Sequence, residues 1–148
     1  IEEWLLSPNV SVILFTLKLV DIYHLFALHD KVVDVLDHTS GDVRTAALAT
    51  LKAIYNDSSA EEIIARYAGA NILFQREALR TLEVIGSAAS LPFLLQQWRS
   101  DSPIVKMAAA RAVVHCSPEG FLLLEKTPEA KLDPGKAIIQ HLKAEIEL

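Results

Sequence analysis

The chain has little of what a covalent or catalytic framework is built from. Its single cysteine, Cys116, excludes an intrachain disulfide framework and gives secretion no support. It contains no CxxC pair, no glycine-rich phosphate loop and no nucleophile-elbow sequence. Glycine is scarce, at 5 of 148 residues, and aromatics make up 7%. Nowhere do alternating apolar and polar residues run between hairpin turn signals, so a β architecture has no support. Basic excess is absent too. The formal charge of −5 argues against a general nucleic-acid binder, which needs a basic face for phosphate. The most apolar run, Val10–Leu17, is interrupted by Lys18, Asp21 and His24. A membrane span needs about 20 predominantly apolar residues, so this segment reads as a packed helix. No signal peptide is visible.

What the chain does have is apolar content arranged for helices. It is 51% hydrophobic and 22% charged, which is enough to bury a core. Three stretches superimpose at a constant interval of 31 residues: Val43–Ile54, Phe74–Ile85 and Val105–Cys116. A fixed period of that size is the signature of stacked helical units. Cap residues before prolines mark helix starts at Ser7-Pro8, Ser102-Pro103, Ser117-Pro118 and Asp133-Pro134. Ser58 and Ser59 precede Glu61 and Glu62 at capping-box spacing, and Asp42 reads as the cap of the helix that follows it. These marks predict helices near 1–6, 8–28, 30–38, 43–56, 59–69, 72–86, 90–100, 103–116, 118–126 and 134–147, with 127–133 the least regular linker. Within the repeat, Val43, Ala47, Leu48, Leu51 and Ile54 share one face, and Thr45, Ala49, Lys52 and Asn56 the other. Looser matches extend the pattern to Thr16-Leu17-Lys18, 34 residues before Thr50-Leu51-Lys52, and to His141–Ala144.

These segments resemble HEAT repeats, in particular the short phycobilisome-lyase HEAT-like variety. The resemblance is carried by Gly41–Arg44 with Ala46-Ala47, and by Glu77–Arg80 through Ile85-Gly86-Ser87 into Ala89–Leu94. It covers about Lys31 to Cys116. One departure is Gln75, which stands where the flanking units have Arg44 and Lys106. The resemblance implies an all-α fold, an α-α superhelix (HEAT-like solenoid) of about four helical-hairpin repeats, forming one domain over residues 1–148. Because the chain opens at Ile1 and closes inside an apparent helix, it is expected to be a segment of a longer protein. The expected location is cytoplasmic, with the soluble domain of a larger, membrane-anchored protein as the alternative.

In HEAT-like stacks the second helix of each unit lines the concave side. Lys52, Arg76, Arg80 and Arg111 fall on the outward face of those helices and form a candidate strip for an acidic partner. The alternative is an ordinary solvated face with Arg80 and Glu83 paired locally. Asp30, Asp34, Asp37 and His38 have spacings that metal sites use, but no second cluster completes a coordination sphere, so no metal or other cofactor is expected. His24 and His29 read as charges near a helix C-terminus. Cys116 aligns with Ile54 and Ile85 and reads as a small buried residue. Trp98 is expected to close the core edge of the third unit, apart from Trp4.

The leading expectation is a non-enzymatic scaffold that binds an unidentified protein on the concave helix face. The alternatives are an enzyme or lyase subunit of the HEAT-like class, or nucleic-acid binding through the local basic strip. Thr45, Arg76 and Met107 occupy one outward position with three different chemistries, so the core repeats while the face does not.

Overall fold

The structure, a computed structural model, describes residues 1–147, and of Glu147 only the backbone. The chain divides into two compact units, residues 1–81 and 82–148. The first holds α1 (Val10–Tyr23), α2 (His29–Val35), α3 (Gly41–Ile54), α4 (Ser59–Ala65) and the larger part of α5 (Ile72–Ile85). The second holds α6 (Leu91–Trp98), α7 (Pro103–Cys116), α8 (Gly120–Glu125) and α9 (Gly135–Glu147). Short 3-10 turns lie at Glu2–Leu6, Phe26–Leu28, Ala88–Ser90 and Pro128–Lys131. The last gives the 127–133 linker a turn of its own. No strand occurs among the described residues. The helices α2–α3, α4–α5, α6–α7 and α8–α9 make four successive pairs, with α1 standing before them as the second helix of an opening pair.

Local chemistry explains most boundaries and corrects several expected ones. The expected 8–28 helix ends at Tyr23, because His24 takes a left-handed conformation (φ 49°, ψ 54°) that breaks the backbone ladder. At its start Asn9 is the cap, accepting from the Ser11 N–H at 2.9 Å, while Ser7 accepts from the Asn9 N–H one step earlier. Ser40, not Asp42, caps α3, because its hydroxyl sits at the position that can reach the Val43 N–H. Ser102 caps α7 with Pro103 at the first helical position, as expected. The Asp133–Pro134 peptide is cis and α9 starts at Gly135, one residue after the expected proline.

In the first unit the repeat pattern becomes a core. Ile13, Leu17 and Val20 of α1 and Ala47, Leu48, Leu51 and Ile54 of α3 are buried, as are Ala78 and Leu79 of α5. The helices are also pinned by hydroxyls at one register position. Thr50 shares its O–H between the Ala46 carbonyl of its own helix (3.0 Å) and the Leu17 carbonyl of α1 (3.2 Å). Thr81 repeats this with Glu77 (2.9 Å) and Leu48 of α3 (3.2 Å). A threonine in mid-helix is ordinarily neutral to unfavourable, so its recurrence here reflects the interhelical bond.

In the second unit the same register position is Ala112, and close approach replaces the pin. A methyl at Gly120 would lie 2.5 Å from the Val114 Cα, and one at Gly135 would lie 2.1 Å from the Glu129 carbonyl oxygen. Only glycine fits either contact. Trp98 is fully buried, as the sequence suggested, with its indole N–H donating to the Thr127 hydroxyl at 2.8 Å. Cys116 is buried too, and burial pushes its thiol pKa up.

The Gln75 departure has a simple cause. Arg44 donates to the His38 and Thr39 carbonyls (2.8 and 3.0 Å), Gln75 to Tyr67 (3.4 Å) and Lys106 to Trp98 (2.7 Å). Each donates to a carbonyl at or just after the end of a first helix; the Tyr67 carbonyl also accepts the Ala70 N–H at 3.2 Å. The position requires a donor, and charge is optional.

Candidate functional site

The outward face of the first unit is built from register-equivalent positions on three helices. Phe15 of α1, Ala49 of α3 and Arg80 of α5 occupy one position, and Ser11, Thr45 and Arg76 occupy another. None of the six is buried. Their chemistry changes in order along the chain: aromatic and hydroxyl on α1, small on α3, basic on α5. Between α3 and α5 lies a cleft of about 400 Å³, bordered by Thr45, Ala46, Ala49, Leu73, Arg76 and Asp42. Leu73 is 64% exposed on one wall. On α1, Phe15 and Ile22 lie two turns apart on one face, 58% and 56% exposed, with Tyr23 and Phe26 exposed beyond them. α1 packs through Ile13, Leu17 and Val20, and Phe15 and Ile22 stand on its open side with Ser11 and Lys18.

The expected basic residues differ in what surrounds them. Lys52 donates to Glu77 at 2.6 Å and is largely neutralised. Arg80 meets the same carboxylate only at 4.0 Å, so the local pair expected with Glu83 is made with Glu77. Arg76 makes no ion pair among the described residues. In the second unit, Arg111 pairs with Glu145 at 2.7 Å, and Glu83 faces His115 at 3.5 Å. Of these four, Arg76 and Arg80 are the least neutralised.

The acidic residues of α2 are dispersed. Asp37 takes a two-pronged contact from Arg66 (2.9 and 3.1 Å), which Glu62 also engages at 2.7 Å, and these partners raise the Arg66 pKa. Asp30 faces His29, and the His38 Nδ1 accepts from the Ser40 N–H at 2.9 Å. Asp34, Asp37 and His38 line a separate, mostly apolar cleft with Leu5, Leu6 and Ile13. No group of three or more His, Cys, Asp or Glu able to hold a metal occurs among the described residues.

Sequence reasoning missed one polar network. His29 opens α2 instead of closing a long helix, and is only 4% exposed. Its Nδ1 lies 2.9 Å from the Asp30 carboxylate and its Nε2 lies 2.6 Å from the Ser59 hydroxyl. Ser59 also accepts the Asn56 N–H at 2.8 Å, so it does not serve the expected capping box. The order carboxylate, imidazole, hydroxyl is that of a nucleophilic triad. However, Ser59 is completely buried, so no substrate reaches it, and the network ties α2 to α4. Nothing local in the sequence signals a pairing across 30 residues.

The family model for HEAT repeats matches residues 29–114. No curated protein and no solved structure matches the chain. No helix among the described residues is long and apolar enough to cross a membrane.

Proposed function

The chain belongs to the HEAT repeat family, whose fold is the all-α solenoid, and we propose that it is a non-enzymatic scaffold that binds a protein through the outward face of its second helices. HEAT repeats commonly mediate protein–protein interaction. One observation carries the reading to this face: core positions repeat the same apolar chemistry while the outward positions of α1, α3 and α5 stay open and differ. A solenoid buries each unit on its neighbours and leaves these side chains for recognition. From the sequence-derived strip, Arg76 and Arg80 are the contact residues proposed in the first unit. Lys52 supports them by occupying Glu77, and Arg111 contributes separately once its bond to Glu145 is exchanged. The interspersed carboxylates Asp42, Glu77 and Glu145 favour a protein partner over a nucleic acid, because a phosphate backbone needs uncompensated positive charge.

The test is affinity capture from the native host with the wild-type chain and with Ala49→Trp, which fills the cleft without touching the core. Loss of the captured protein with an unchanged melting temperature supports the reading. Equal capture by both refutes it.

A further inference from the structure

Resting on that reading, we propose that the α1–α3–α5 face recognises a short acidic–apolar segment of its partner. An apolar side chain would seat on Phe15 and Ile22, and carboxylates would pair with Arg76 and Arg80.

Both ends of the face argue for this occupant. At the α1 end, Phe15 and Ile22 share a helix face with Lys18 between them and are 58% and 56% exposed, and Tyr23 (68%) and Phe26 (61%) are exposed near the end of the helix. Exposed aromatic and aliphatic side chains gathered in this way mark an interaction surface. At the α5 end, Lys52 and Arg80 share the carboxylate of Glu77, which Lys52 holds at 2.6 Å, and Arg76 stands beside them with no ion pair among the described residues. Asp42, the other acid bordering the cleft, forms no ion pair with them. The chain carries −5 in total, so this is a local reversal of sign that attracts an acidic segment while the remaining surface repels it. Between the ends, Thr45 and Ala49 keep the floor low enough for a backbone to cross.

The spacing is definite. Adjacent packed helices lie about 8–10 Å apart, so two steps span about 20 Å. An extended chain covers about 3.3–3.6 Å per residue, so the apolar anchor and the acidic group are separated by about six residues.

The experiment selects binders from a random dodecapeptide phage library on the immobilised chain. Selected sequences are then measured as synthetic peptides by fluorescence anisotropy, with circular dichroism melts to confirm that each variant is folded. The expected binders carry an aliphatic or aromatic residue about six positions from an acidic pair. Arg76→Glu with Arg80→Glu, and separately Phe15→Ser with Ile22→Ser, should each weaken them by about tenfold or more, while Ala49→Trp abolishes binding. Binders without acidic bias that Ala49→Trp still blocks would overturn the acidic–apolar assignment and leave the face reading standing. Binders indifferent to Ala49→Trp would refute the face reading itself. No enrichment, or a concentration-dependent dimer in sedimentation that Phe15→Ser disperses, would also overturn the proposal, the second outcome by assigning the patch to a second copy of the chain.

Discussion

The two units solve the same packing problem by different means. In residues 1–81, hydrogen bonds between elements do much of the positioning: Thr50 and Thr81 pin successive second helices, and His29 with Ser59 ties first helices together. In residues 82–148 the hydroxyl position is Ala112, Ser90 stands 31 residues after Ser59, and its buried hydroxyl finds no hydrogen-bond partner among the described residues. Close contact takes a larger share there, through Gly120 and Gly135, beside the bonds that Trp98 makes with Thr127 and Lys106. One repeat register therefore tolerates either directional bonds or close contact. What it holds constant is which positions are buried.

That contrast can be broken at chosen points. The largest effect is expected from Trp98→Ala, which empties the core of the second unit and should cost about 3–5 kcal/mol in urea unfolding. Gly135→Ala should follow at about 1–3 kcal/mol, because the new methyl collides with the Glu129 backbone and not with a side chain that can swing aside. A serine pair tests the contrast most cleanly. Ser59→Ala leaves His29 and the Asn56 N–H without their partner and should cost about 1–3 kcal/mol, whereas Ser90→Ala removes a buried hydroxyl with no partner among the described residues and should be neutral or slightly stabilising. Equal losses at the two serines would mean that the units are held alike. Thr50→Val, which keeps shape and removes the pin, should cost about 1 kcal/mol.

The smallest effect at neutral pH is a titration. Burial raises the Tyr67 pKa from 10.0 to about 12. Its contribution to stability is therefore intact below pH 10 and is lost as pH rises through about 12, because the unfolded chain ionises first. Tyr67→Phe should flatten that part of the stability profile and leave the profile near neutrality unchanged, as followed by thermal melts across alkaline pH.

Much of the fold could be read from the sequence because a repeat states each structural requirement several times. Ala47, Ala78 and Ala109 recur in register, and all three are fully buried. Helix ends were legible where proline or serine marks them, as at Ser102-Pro103. The end of α1 was not, because His24 adopts a left-handed conformation that Gly or Asn more often signals. The His29–Ser59 network was illegible since its members come together only after two helices have packed. The candidate face was half visible. Periodicity placed Arg76 and Arg80 outward, and Lys18 marks the open side of α1, but hydrophobicity alone does not tell Phe15 and Ile22 on that side from core residues.

On the proposed function, burial fixes the fold and the outward face carries recognition. Scanning single substitutions through residues 10–81, each read for melting temperature and for binding of a selected peptide, separates the two. Two distinct sets are expected: positions such as Ala47, Leu51 and Leu79 alter stability, and positions such as Phe15, Ala49 and Arg76 alter binding at unchanged stability. Binding losses spread evenly around the helices, or confined to positions that also destabilise, would contradict that proposal.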